Sequence, residues 1–417
     1  MKTLRRPILF ALISLAMFGP TVGIVVAADD HAPPPDPLPG DEIVDGLALG
    51  VGDWLDASIS AEQFHTNTAL FDEEWMFGTW MMAAVGFGQH AAAHQDARAA
   101  DLVRMEQCID VLLGPDGTKF DRSRWHSSPL DDLAQPSRGH AAWLGYAGLA
   151  LSLHHRLVTD VTAPGGPVVD RYAALHDHVS DALLARLGSP VIETYPGQAF
   201  PVDNAAGFGA LGLDAADPAD PDRAARTRKA LAPALARLLD TWRDPKTGVL
   251  YQMIDPRGVQ HGHTDPRGSG TFLAAWFLSF ADDVPGLGRP GRSLYYSGRD
   301  QLYEPLGPLG AMREYRYGKG ASVLGEAELG EGDIDSGPLI LGRGVSSTAF
   351  AIGGARAEGD TAIAAALIRT ATMFGRPSTD DHGATHFSTA GAAMCGNASC
   401  GALGDAILFA MLTTPAR

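Results

Sequence analysis

Between residues 41 and 413 the chain is written almost entirely in apolar segments of helical period, and runs of β-branched residues are scarce. Helices are expected near 41–60, 68–94, 97–113, 138–157, 168–187, 203–213, 223–243, 269–284, 298–313, 345–356, 359–374 and 399–413. They recur in pairs every fifty to seventy residues or so, and each pair is followed by a loop rich in Gly, Pro, Asp and aromatics. No repeat of fixed period accompanies them, so a solenoid of identical units is not supported. About twelve helices with long loops gathered on one side suit an all-α (α/α)6 toroid, in which helix N-termini and loops surround a central cavity. A short β-hairpin is expected at 248–260, where "GVLYQMIDPRGVQ" flanks a Pro-Arg-Gly turn with apolar residues. There is no βαβ rhythm, no P-loop and no dinucleotide fingerprint.

The ends of the chain read differently. Lys2, Arg5 and Arg6 precede an apolar stretch at 7–17, and Val25-Val26-Ala27-Ala28 offers small residues before a cleavage point. Residues 1–28 therefore read as a secretory signal peptide, with a periplasmic or extracellular destination. The apolar stretch is short for a membrane span. Residues 29–40, "DDHAPPPDPLPG", are too proline-rich to pack and read as a linker, leaving 41–417 as one domain. Loss of residues 1–28 removes three cations and no carboxylate, moving the net charge from −17 to about −20. So acidic a surface disfavours nucleic acid and anionic membranes. It fits a small-molecule or oligosaccharide substrate. Cys395 and Cys400 in "CGNASC" suit a small-loop disulfide in an oxidising compartment, and Cys108 reads as a buried free thiol.

Four segments could carry chemistry. In "LFDEEWMFGTWMMAAVGF", 70–87, acidic residues precede Trp75 and Trp80. Acids in a first helical turn meet the positive dipole end, which accounts for them structurally; the aromatics suit a ligand wall, with Glu74 beside it. In "RGHAAWLGYAGLALSLHH", 138–155, His140, Trp143 and Tyr146 fall on roughly one helix face. In "ETYPGQAFPVDNAAGFGALGL", 193–213, Tyr195-Pro196-Gly197 must turn, and Asp203 or Asn204 could cap the next helix. Capping explains one polar residue of that set, which also holds Glu193, Tyr195 and Gln198; the clustering points to a pocket. In "EGDIDSGPLILGRGVSSTAF", 331–350, Asp333 and Asp335 alternate around Ile334 between two glycines. An extended backbone would send both to one side, where mutual repulsion raises one pKa toward a value useful to a general acid. A turn cap at Asp335 or Ser336 before Pro338 is the structural alternative.

The histidines at 261 and 263, 176 and 178, and 382 and 386 sit near acids but without an HExxH spacing, and no metal site is assigned to them. No G-x-S-x-G elbow is present, which disfavours an ordinary serine esterase.

"EWMFGTWMMAAVG", "YPGQAFPVDN", "RGSGTFLAAWFLSFAD" and "GDIDSGPLILGRGVSSTAFAIGGA" together resemble the linalool dehydratase/isomerase-type proteins, exported bacterial (α/α)6 barrels. The likeness spans roughly 60–413, and Asp-x-Asp-Ser-Gly-Pro is its most specific element. It implies metal-free acid–base chemistry in an apolar cavity, with His140 matching a histidine early in an inner helix. It also implies a cysteine pair flanking a glutamate in the segment equivalent to 195–204. Gly197, Gln198 and Asp203 stand there instead, and none of the three cysteines falls in the segment. The thiols on which terpene chemistry depends are thus missing.

The leading expectation is an exported enzyme, without cofactor, acting on a small partly apolar alcohol as a lyase or isomerase. Asp203 and Asp335 or Asp333 would act as acid and base, with His140 and Tyr195 orienting the substrate. A two-carboxylate carbohydrate-active enzyme is the alternative, with Trp75, Trp80, Trp143 and Tyr195 stacking on sugars. A non-catalytic binding protein is the third.

Overall fold

A computed structural model describes residues 40–66, 68–163, 165–316, 339–387 and 401–416. Asp333, Asp335, Cys395 and Cys400 lie outside the described residues. The described residues fall in the compact unit Leu38–Arg417.

Two kinds of helix make up this unit. The first kind is apolar on nearly every side: α2 (Ala69–Ala93), α5 (Ala141–Val158), α7 (Pro201–Ala215), α9 (Gly268–Ser279), α11 (Val345–Ala357) and α13 (Gly401–Leu412). A helix apolar all round must be enclosed. These helices form an inner ring in which α2 packs on α5, α5 on α7, α7 on α9, α9 on α11, α11 on α13, and α13 back on α2. The second kind buries one stripe. In α8 (Pro221–Thr241) the buried residues are Ala224, Thr227, Leu231, Ala234, Leu235 and Leu238, the i, i+3, i+4 pattern of a single stripe.

The outer helices α3 (Arg98–Leu113), α6 (Ala173–Arg186), α8, α10 (Pro290–Leu302) and α12 (Thr361–Gly375) each back the inner helix next to them. The outer helix α1 (Val44–Asp56) packs on α13, so the two ends of the unit meet and close the ring. Inner and outer helices alternate along the chain. This is the (α/α)6 toroid expected from the helical spacing.

Two local expectations fail for identifiable reasons, and one helix was not expected. The segment 298–313 is not one helix: α10 ends at Leu302, and β1 (Tyr303–Leu306) pairs antiparallel with β2 (Leu309–Met312). Pro305 and Pro308 cannot donate to a helical ladder, and Gly307 takes φ +65° in the turn between the strands. The expected hairpin at 248–260 instead closes later, through bridges Tyr251–Pro266 and Ile254–His263. Its turn does form, with Gly258 N–H donating to Asp255 O at 2.7 Å, but a 3-10 turn at Val259–His261 follows before the chain returns. Finally, α4 (Lys119–Trp125) is an additional short helix in the α3–α5 connection.

Candidate active site

Helices of the inner ring direct their N-terminal turns at one cavity of about 420 Å³. Each inner helix contributes: Trp75 and Met81 from α2, Tyr146 from α5, Asp203 from α7, Leu273 from α9, Phe350 from α11, Ile407 from α13. The 194–202 connection supplies Thr194, Tyr195, Gln198 and Phe200.

That connection is held rigidly. Tyr195-Pro196-Gly197-Gln198 is a tight turn, with Gln198 N–H donating to Tyr195 O at 2.8 Å and Gly197 at φ +77°. Glu193 accepts from Gly197 N–H at 2.8 Å and so belongs to the turn. Asn204 ties the start of the connection to α7, accepting from Ile192 N–H and donating to Ile192 O, each at 2.9 Å. At the other side, Ala141 N–H donates to Glu193 O at 3.0 Å. Gly139 permits that docking, because a Cβ there would lie 2.0 Å from Glu193 O.

Thr194 is thereby set against Asp203. Its hydroxyl accepts from Phe200 N–H at 3.3 Å and donates to Asp203 Oδ2 at 2.5 Å. Tyr146 donates its phenol to Asp203 Oδ1 at 2.7 Å. These bonds and the positive end of α7 favour the carboxylate. Burial outweighs them, and the Asp203 pKa is pushed up to about 6. A carboxylic acid with this value is half protonated near pH 6, about two pH units above an ordinary aspartate.

A second carboxyl group lines the cavity through Glu74, which accepts from the Tyr195 phenol. Burial, and then the charges of Glu74 and Asp203, hold the Tyr195 phenol well above the ordinary tyrosine range. Tyr195 therefore keeps its proton and serves as a donor. The neighbours of Glu74 are structural: Asp72 accepts from Thr66 N–H at 2.6 Å, and Glu73 pairs with Lys119 at 3.1 Å. The helix-start explanation accounts for Asp72, the ion pair to α4 holds Glu73, and the cavity takes Glu74.

The remaining expected residues divide sharply. Trp75 and Gln198 line the cavity with Tyr195, Glu74 and Asp203. His140 does not line the cavity. It is fully buried at the N-cap of α5 with φ +53°, its Nδ1 2.5 Å from Asp121 Oδ2 and its Nε2 3.1 Å from Asp132 Oδ2. With both ring nitrogens engaged by acids, it joins α4 and the following loop to α5. Trp143 and Trp80 are likewise buried in helix packing and do not line the cavity, Trp143 donating to Leu112 O at 3.2 Å. The α5 face that reaches the cavity is the one bearing Ala142 and Tyr146.

Thr194 and Arg267 were not among the expected residues, and Tyr146 was named only as company for His140. Thr194 and Tyr146 flank Asp203, as above. Arg267, at the N-cap of α9, lines the cavity while its Nε donates to buried Glu314 at 2.7 Å; Ser269 Oγ donates to the same oxygen at 2.7 Å. "RGSG" opening an apolar helix was visible, but nothing in the spacing links it to a glutamate 47 positions away. Elsewhere, Cys108 is buried and free, and burial raises its thiol pKa far above normal. His176 is bonded to Asp214 at 3.0 Å and His386 to Asp405 at 3.0 Å, while His263 stacks on Tyr251.

No protein-family model and no curated protein matches the chain. Among solved structures it is similar to a polysaccharide lyase, with TM-score 0.50 and 13% identity over 89% of this chain and 96% of that one. It is also similar to the α-1,6-mannanase GH76A of Salegentibacter sp. HEL1_6, with TM-score 0.46 and 10% identity over 89% and 98% of the two chains. A family 105 glycoside hydrolase of C. acetobutylicum ATCC 824 gives TM-score 0.49 and 10% identity over 89% and 98%. At 13% identity the likeness to the polysaccharide lyase is one of fold alone.

Proposed function

We propose that the protein is a carbohydrate-active enzyme that cleaves a glycosidic bond, with Asp203 as proton donor to the departing oxygen. The observation that carries this reading is the enclosed Asp203 carboxyl, whose pKa of about 6 keeps a transferable proton available in a cavity walled by aromatics. Phe71, Trp75 and Tyr195 present flat apolar faces of the kind that stack on sugar rings, and Gln198, Gln252 and Ser269 offer polar groups for hydroxyls. Glu74 is the other carboxyl group among the described lining residues and takes the role of base, its orientation set by the Tyr195 phenol. Asp335 or Asp333 remains part of the proposal as a further acid. The polysaccharide lyase that shares the toroid adds support, since it is named for cutting a polysaccharide.

A second reading keeps the small, partly apolar alcohol of the linalool dehydratase/isomerase resemblance. It is favoured by one observation: much of the wall is aliphatic or aromatic, built from Met81, Met82, Leu273, Phe350, Leu403 and Ile407. Both readings place the proton on Asp203, so the substrate distinguishes them. Purified protein should be assayed on oligosaccharides and on terpene alcohols, alongside Asp203→Asn. Turnover of a glycan that Asp203→Asn abolishes supports the first reading; turnover of the alcohols alone replaces it with the second. Ligand binding without turnover by either protein leaves a binding role.

Export through residues 1–28 belongs to the same proposal. N-terminal sequencing of the secreted protein should begin at Asp29.

A further inference from the structure

One cluster of metal-type donors lies apart from the cavity. "HAAAH" places His90 and His94 four residues apart on α2, so both project from one side of the helix. His90 lies in the last turn and His94 is the C-cap residue, its backbone N–H still donating to His90 O at 2.8 Å. From Met82, the last α2 residue that lines the cavity, His90 is roughly 12 Å further along the helix at 1.5 Å per residue. Asp45, in the first turn of α1, meets the two histidines from the neighbouring outer helix. One donor atom from each of the three lies within 4.8 Å of the others.

We propose that Asp45, His90 and His94 form a zinc-type divalent metal site that clips α1 to α2. Two imidazoles and a carboxylate are borderline donors that suit Zn²⁺, with a water completing a four-ligand shell. The site has the support such ligands need. His90 is buried, and its Nδ1 lies 2.7 Å from Oδ2 of Asp101, itself buried, which fixes the ring and directs Nε2 toward Asp45 Oδ1 at 3.0 Å. A carboxylate behind a ligating histidine is the usual outer partner of such a metal ligand. The His94 ring stacks on His90 with centroids 4.2 Å apart, and both His94 and Asp45 are exposed, so they can close on an ion by rotating side chains alone. Helix α1 is the element that joins the beginning of the ring to α13. An ion here would secure that seam without touching the cavity.

The test is calorimetric titration of metal-free full-length protein with Zn²⁺, together with thermal melts. The wild type should take one Zn²⁺ per chain and melt higher with it. His94→Ala and Asp45→Asn alter exposed side chains, so folding is not at stake; each should weaken binding at least tenfold and remove the thermal gain. Asp101→Asn, acting through His90, should weaken it by about 10- to 100-fold. Absence of saturable one-to-one binding in the wild type, or wild-type affinity in either His94→Ala or Asp45→Asn, overturns the proposal. Since all readouts are binding and stability, the outcome is independent of whether the glycan reading holds.

Discussion

Tyr146 and Asp203 face each other across the α5–α7 contact, phenol to Oδ1 at 2.7 Å, although 57 positions separate them in the chain. The contact depends on the residue beside the tyrosine. A Cβ on Gly145 would fall 2.6 Å from Asp203 O and 2.9 Å from Gly207 N. Glycine at 145 therefore sets the spacing of the two helices, and the spacing sets the hydrogen bond to the acid.

Gly145→Ala should force α5 away from α7. Overpacking of this kind costs about 1–3 kcal/mol, which denaturant unfolding would read directly. The variant should also lose activity beyond its unfolded fraction, because the Tyr146 bond to Asp203 is stretched. Wild-type stability in this variant would show that the contact yields more easily than its geometry implies.

Asp203→Asn should lower kcat by about 10²- to 10⁴-fold by removing the proton donor. In the wild type, kcat/KM should fall as pH rises through about 6, where the free enzyme loses that proton. Stability follows the same group. Its folded pKa lies above the ordinary value of 3.8, so between the two the folded state holds more protons than the unfolded one, and stability declines with rising pH. The decline approaches about 3 kcal/mol at most. Asp203→Asn should escape it, so its stability relative to wild type should improve from pH 4 to pH 7 in parallel melts.

Tyr146→Phe removes one of the two side-chain bonds that favour the ionised Asp203. The Asp203 pKa should then rise, moving the alkaline limb of the kcat/KM profile to higher pH while the fold is kept. A limb that stays in place would separate that titration from Asp203.

His140→Ala should act on folding and leave the pH profile of the surviving activity where it was. It strips the imidazole from between Asp121 and Asp132, both buried, and Asp121 Oδ1 already lacks a partner. Breaking such a buried pairing costs about 3–5 kcal/mol. A second change, Asp121→Asn, should restore part of the loss in urea unfolding.

Much of the architecture was readable in the chain. Apolar period located the inner and outer helices, because a helix that is apolar all round has to be enclosed and one with a single stripe has to lie outside. Pro196 and Gly197 required the turn before α7, but neither Asp203 nor Asn204 caps that helix, which starts at Pro201 with Phe200 as its N-cap: Asn204 secures the connection through Ile192 while Asp203 faces the cavity. Local chemistry sufficed for these. It did not suffice for His140, whose aromatic company at i+3 and i+6 suggested a pocket. The α5 face carrying it turns toward Asp121 and Asp132 instead, and only the docking of α4 and its loop decides that. Nor could spacing reveal Thr194 and Tyr146 around Asp203, or Arg267 beside Glu314, since each pairing is made by a ring that closes between segments distant in the chain. Periodicity states which side of a helix is buried; which neighbour it is buried against, and hence which acid loses its water and keeps its proton, is decided only when the toroid closes.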